Sequence, residues 1–292
     1  MQVMIFGAGY SGRAIADTLS RTGARIAGTT RSAQKTAQLA AHGITPFVFD
    51  GSALGDDLMD CLRETTHLIQ SIAPGETGDR LIELMAAGLS GVMPKLRWVG
   101  YLSTVGVYGD HDGAWVDETV TCKPVSQRSI QRLQAERAWR DLAGSSGIPA
   151  AILRLSGIYG PGRNAFVNLE KGTARRLIKK GQVFNRIHVD DIAGATGLLA
   201  RQTEDGIFNI TDDEPAPPQD VVTYAAQRMG VAPPEPIAFE TAELSPMARS
   251  FYGENKRVSN ALIKTRGYRF RYPTYRDALD AMWESQTWRP PA

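Results

Sequence analysis

Val3-Met4-Ile5-Phe6-Gly7-Ala8-Gly9-Tyr10-Ser11-Gly12 opens the chain with an apolar run that enters a glycine-rich turn. Four consecutive apolar residues fit a strand buried on both faces. The segment beyond, Arg13 to Thr22, carries Ile15, Ala16 and Leu19 at a spacing that gathers them on one helical face. The pattern predicts strand, loop, helix. In the loop, Gly7, Gly9 and Gly12 satisfy GxGxxG around Tyr10 and Ser11. At such a junction one glycine makes the tight turn, one lets backbone approach a pyrophosphate, and one lets helix and strand pack closely. The free N–H groups of the helix N-terminus add donors and positive potential. Gly7, Gly9, Tyr10, Ser11 and Gly12 are therefore the expected cofactor-binding loop.

The same alternation continues outward. Ala24 to Thr29, Phe47 to Phe49, His67 to Ile72 and Arg97 to Leu102 read as strands 2 to 5, with a helix over Leu81 to Leu89. Ser129 to Ala143 places Ile130, Leu133, Ala135, Ala138 and Leu142 at helical spacing, and Ala150 to Leu155 reads as a sixth strand. Strands alternating with helices predict an α/β fold, a Rossmann doubly wound parallel sheet. Beyond Gly160 the texture changes to separated helices, with breaker-rich segments at Glu214 to Pro218 and Pro233 to Pro236. Residues 1–158 are thus expected to form the dinucleotide-binding domain, which also receives strand and helix segments near 186–211. Residues 159–292 are expected to form mainly a smaller substrate-binding region. The basic cluster Arg175, Arg176, Lys179 and Lys180 reads as a solvated helix face.

The end of strand 2 bears on the cofactor. NAD sites place an acid there to accept from the ribose hydroxyl, whereas an arginine suits the 2′-phosphate of NADP. Here Gly28-Thr29-Thr30-Arg31-Ser32 holds no acid. Arg31 offers a fixed charge with paired donors and Ser32 a hydroxyl, so NADP is expected, with NAD possible. Arg31 could otherwise be a plain exposed helix-start residue. Asp50 is a candidate for the adenine edge, or else an Asp that starts the turn at Gly51.

Composition bounds the rest. Apolar residues at 42% and charged residues at 22% match folded globular chains, and a net charge of +2 is too small for a nucleic-acid footprint. A small-molecule substrate is the expected partner. Cys61 and Cys122 lie far apart without CxxC spacing, which argues for ordinary thiols and no metal site. Without a basic leader or an apolar run of about 20 residues, a cytoplasmic setting follows.

Later segments add a family likeness. Leu102-Ser103-Thr104-Val105-Gly106-Val107-Tyr108-Gly109, Asp117-Glu118 with Pro124, Arg154 to Gly162, His188-Val189-Asp190-Asp191-Ile192-Ala193, and Gly206 to Ile210 follow in order. In these motifs the chain resembles the extended type of the short-chain dehydrogenase/reductase superfamily, which holds nucleotide-sugar epimerases, dehydratases and related reductases. Two departures stand out. The usual GxxGxxG is GxGxxG here. The YxxxK pair, placed by the likeness of Ala135-Glu136-Arg137, falls on Arg128 and Arg132.

In that family the tyrosine exchanges a proton with substrate while the lysine lowers its pKa and holds the nicotinamide ribose. Arginine stays protonated, so Arg128 is no ordinary base, while Arg132 keeps the positive charge. Thr104 matches the family's upstream serine or threonine, which hydrogen-bonds the reacting oxygen. Thr104, Arg128 and Arg132 are the expected catalytic positions. Tyr108, His111 and Tyr159 are possible substitutes for the tyrosine, each with a structural role as the simpler reading.

The resemblance implies an NADP-binding reductase, epimerase or dehydratase acting on a small polar metabolite or nucleotide sugar, and a possible homodimer. A nucleotide sugar's diphosphate would meet Arg163, Arg175 or Arg186. The alternative is a cofactor-binding regulator or redox sensor that lost chemistry with YxxxK.

Overall fold

The opening run forms strand β1 (Gln2–Phe6), and its Val3, Met4, Ile5 and Phe6 have no exposed surface. A computed structural model of the chain describes residues 1–85 and 88–290. Helix α1 (Tyr10–Ser20) follows and buries Gly12, Ile15, Ala16 and Leu19, the face its spacing predicts. It begins three residues before the expected Arg13, because the Arg13 N–H already closes a helical turn on the Gly9 carbonyl at 2.9 Å.

Strands β2 (Arg25–Thr30), β3 (Thr45–Val48), β4 (His67–Gln70) and β5 (Trp98–Thr104) continue the alternation. With Ala150–Leu155 and Gly206–Ile210 they make a seven-stranded parallel sheet, ordered β3-β2-β1-β4-β5 and then those two strands. The chain therefore reverses direction across the sheet between β1 and β4. This is the switch point outside which α/β sheets bind ligands.

Helices α2 (Thr36–Ala41) and α3 (Asp56–Glu64) were not legible in the sequence; each presents only one or two buried anchors, Leu39 for α2 and Leu58 and Leu62 for α3. The single helix expected over Leu81 to Leu89 is instead α4 (Arg80–Leu84) and α5 (Leu89–Val92). Gly88, at a φ of +85°, leads into α5, and residues 86–87 of that expected helix lie outside the described residues. Asp79 caps α4 by accepting from Leu81 N at 3.0 Å. Helix α6 (Gln127–Ser145) extends the expected Ser129 to Ala143 at both ends.

The basic cluster is not a helix face. Arg176–Ile178 is a strand paired with Pro236–Ala238, and Arg175, Arg176 and Lys179 donate to the carbonyls of Glu243, Pro234 and Tyr252. Leu177 and Ile178 carry no apolar partner at helical spacing strong enough to override that pairing.

The chain forms two compact units. Met1–Val107, Gln127–Arg154 and Ile192–Phe208 make the first; Tyr108–Ser126, Leu155–Asp191 and Asn209–Ala292 make the second. The first is centred on Met4, Phe6, Leu68, Val99, Tyr101, Trp139 and Ile152. The second packs Phe166, Tyr275, Leu279, Met282 and Trp288. Within it, Asp191 accepts from the Tyr268 hydroxyl at 2.8 Å, Arg271 N at 2.7 Å and Tyr272 N at 3.0 Å. His188 lies against the Tyr159 and Tyr272 rings, with centroids 5.4 and 4.4 Å away. The His188-Val189-Asp190-Asp191 stretch is thus a structural clasp in this unit. Among the described residues, no helix is long and apolar enough to cross a membrane.

Candidate functional site

At the switch point of the first unit lies an open pocket of about 460 Å³. Gly7, Ala8 and Gly9 line it from the loop after β1, and Ile72 and Ala73 from the loop after β4. Thr29, Thr30 and Arg31 contribute from the end of β2, and Phe49 from the end of β3. Arg13 reaches it from α1, and Lys35, Gln38 and Leu39 from the segment after β2. These are the C-terminal ends of four adjacent strands.

The loop glycines act differently. Gly7 has a φ of +82°, and a Cβ there would stand 2.9 Å from Ile72 Cγ1. Its N–H donates to Thr29 Oγ1 at 2.9 Å, while Ala8 N donates to the Thr29 carbonyl at 2.9 Å. The loop is thereby stitched to β2. On Gly12 a Cβ would fall 3.0 Å from the Gly7 carbonyl oxygen and 3.3 Å from Ile5 Cγ2, so this glycine serves packing. On Gly9 the nearest atom would be 3.9 Å away; the missing side chain leaves open space at the pocket wall. Gly28 in β2 also serves packing, since a Cβ there would meet Ala8 Cβ and Ile44 Cγ2 at 2.9 Å each.

The other expected binding residues divide. Arg31 is exposed and lines the pocket. Ser32 does not; its hydroxyl donates to Gln34 Oε1 at 2.7 Å. Tyr10 and Ser11 start α1 and are also outside the lining. Asp50 Oδ1 accepts from Ser52 N at 2.8 Å and Ser52 Oγ at 2.6 Å, and these bonds hold its carboxyl below the usual range. Asp50 is exposed and closes a local turn, with no place in the lining. Arg13 and Lys35 were missed, although each stands four residues beyond a residue already singled out, Gly9 and Arg31 respectively.

The end of β5 and the start of α6 form a second group in this unit. Thr104 Oγ1 accepts from Gly106 N at 3.1 Å. A Cβ on Gly106 would stand 2.8 Å from Ser129 Oγ and 3.4 Å from Thr104 Oγ1, so two hydroxyls converge over a position that only glycine fits. Arg132 Nη1 donates to the Leu102 carbonyl at 2.6 Å and lies 3.4 Å from the Tyr101 hydroxyl. Burial pushes Tyr101 up to about 12, with the Arg132 charge opposing. Arg128 is exposed.

Beneath them, Glu136 accepts from Ser103 Oγ at 2.5 Å and from Arg154 Nη2 at 2.8 Å; all three residues are buried. Asp79 accepts from Gln70 Nε2 at 2.9 Å and Trp139 Nε1 at 2.8 Å, and burial raises its carboxyl pKa. Three further residues considered for chemistry sit in the second unit. The buried Tyr108 hydroxyl donates to Asn209 Oδ1 at 2.8 Å, and His111 Nε2 pairs with the Tyr108 carbonyl at 3.1 Å. Tyr159 packs on His188.

A family model described as the NAD dependent epimerase/dehydratase family matches residues 3–211. A solved structure of a functionally unknown conserved protein from Silicibacter pomeroyi is 42% identical, with a TM-score of 0.88 and coverage of 98% of this chain and 99% of that one. Protein YeeZ of Escherichia coli K12 is 27% identical over 286 residues, covering 93% of this chain and 96% of YeeZ. The UDP-glucuronic acid 4-epimerase of Bacillus cereus, solved with NAD, is 18% identical at a TM-score of 0.76, covering 97% of this chain and 96% of that one. At that identity the likeness is one of fold.

Proposed function

This chain belongs to the NAD-dependent epimerase/dehydratase family, and from that premise we propose that it is an NADP-dependent oxidoreductase, epimerase or dehydratase acting on a small polar metabolite or a nucleotide sugar. The observation that carries the reading is the pocket at the switch point, walled by Gly7 and Gly9 and bordered by Arg31 where an NAD site would hold an acid. When bound, the cofactor supplies hydride chemistry. The loop residues and the N-terminus of α1 hold its pyrophosphate, and Arg31 meets the 2′-phosphate.

Thr104 and Arg132 stand for the reacting end. The Thr104 oxygen already accepts from Gly106 N, which leaves the hydroxyl proton free to be donated to a substrate carbonyl. Arg132, fixed on the Leu102 carbonyl, contributes positive charge against the same strand two residues earlier. Neither Arg128 nor Arg132 takes a proton, so the proton that accompanies hydride transfer comes from water or through Thr104. Substrate binding falls to the region 159–292, and the cytoplasm is the proposed setting.

The replacement of YxxxK by two arginines also supports a second reading, a cofactor-binding regulator without turnover. The test is calorimetric titration of the whole chain with NADP and with NAD. A preference of about tenfold for NADP, roughly 1.4 kcal/mol, is expected. Equal affinities or tighter NAD binding contradict the proposal. Turnover of bound NADPH with any carbonyl substrate removes the regulator reading.

A further inference from the structure

Among the described residues, three cations line the pocket and no carboxylate does. Arg13, Arg31 and Lys35 line it from α1, from the end of β2 and from the short 3₁₀ turn Ala33–Lys35. None of the three side chains makes an ion pair or a hydrogen bond among the described residues. The carboxylate one turn along α1 from Arg13 belongs to Asp17, which lies 3.6 Å from His42 Nδ1. Like charges gathered around one cavity raise each other's energy, and an anion seated among them relieves it.

The neutral part of the lining points the same way. Leu39, Phe49 and Ile72 give apolar surface suited to a purine, and Thr30 and Gln38 give uncharged polar groups near the cations. A ribose 2′-hydroxyl needs an acceptor, and the lining has no acid for it. A phosphate carries two negative charges and several acceptor oxygens, and it suits three cationic donors.

We propose that Arg13 and Lys35 close a three-cation site with Arg31 around the 2′-phosphate of the cofactor's adenosine, and that these two residues set its specificity. The idea rests on the dinucleotide reading above and deepens it. Ser32, turned onto Gln34, is replaced in this role by Lys35, which the 3₁₀ turn brings back toward the cavity. Arg13 is the more demanding half. From the second turn of α1 it could reach the pyrophosphate instead, and the two placements respond differently to removal of the 2′-phosphate.

The experiment is calorimetry on the whole chain and on Arg13→Ala, Lys35→Ala and Lys35→Arg. The probes are NADP, NAD, adenosine 2′,5′-bisphosphate and adenosine 3′,5′-bisphosphate. The wild type is expected to bind the 2′,5′ isomer at least about tenfold more tightly than the 3′,5′ isomer. Each alanine variant should lose about tenfold on NADP and on the 2′,5′ isomer, and less than about twofold on NAD. Lys35→Arg should retain most of the affinity.

Equal losses on NADP and NAD would assign Arg13 or Lys35 to the pyrophosphate and overturn the inference while leaving the dinucleotide reading intact. A wild type that binds none of the four probes overturns both. The two alanine changes are at partly or fully exposed side chains, and an unchanged melting temperature confirms that binding alone has moved.

Discussion

A Cβ on Gly9 would meet nothing of the protein nearer than 3.9 Å, whereas one on Gly12 would stand 3.0 Å from the Gly7 carbonyl oxygen. The two positions should therefore fail in different ways. Gly12→Val forces α1 off the loop and is expected to cost about 1 to 3 kcal/mol of stability, read as a lower midpoint in denaturant. An unchanged midpoint would mean that α1 accommodates the side chain without cost. Arg31→Ala should narrow the NADP/NAD gap by about tenfold, near the value of one charge-assisted hydrogen bond, and equal weakening of both cofactors would move Arg31 off the 2′-phosphate. The glycines were legible because their spacing sits directly on a strand-to-helix junction. Arg13 and Lys35 were not, since their aim depends on the phase of a helix and of a 3₁₀ turn. Ser32 and Asp50 bond locally instead of lining the pocket, because short polar side chains satisfy nearby groups before they reach a cavity.

Among the polar contacts that hold helix α6 to the sheet is a buried set in which Glu136 accepts from Ser103 of β5 and from Arg154 of the strand Ala150–Leu155. Arg154 and Glu136 are 3% and 2% exposed, so removing one partner strands a charge out of water. Glu136→Ala is expected to cost about 3 to 5 kcal/mol, and the Glu136→Ala/Arg154→Ala pair less than the sum of the two single changes. Additive losses in denaturant titrations would show that the two side chains act independently. The same helix carries Arg128 and Arg132, and neither lines the dinucleotide pocket. Arg128→Tyr with Arg132→Lys should accordingly leave the NADP affinity within about threefold, or ~0.7 kcal/mol, and a much larger loss would bring one of them to the cofactor. Element positions followed from periodicity wherever anchors repeat, as in α1 and α6. They failed where a helix has one or two anchors, as in α2, and where the helix expected over Leu81 to Leu89 is two short helices with Gly88 at a positive φ before the second.

On the scale of the whole chain, the second unit carries a pH signature. Burial holds His188 down to about 4 against an ordinary 6.5, with Asp190 raising it and Arg271 lowering it further. The unfolded chain therefore takes up a proton below about 6.5 that the folded chain refuses until about 4. The resulting stability is complete above 6.5 and is lost as pH falls toward 4, by about 2 kcal/mol between pH 7.5 and 5. Buried Asp191 and Asp212, both raised, act in the opposite sense, so the effect is read by difference. His188→Asn should flatten the acid slope of unfolding free energy by about that amount, and an unchanged slope would mean that His188 is protonated in the folded chain. For the first unit, the claim on which the functional account depends is that the space beside Gly9 receives a dinucleotide. Calorimetric titration of Gly9→Val with NADP, beside the wild type, tests it most directly. The account predicts submillimolar binding by the wild type and none by a variant that melts at the same temperature; equal affinity in the two folded proteins would contradict it.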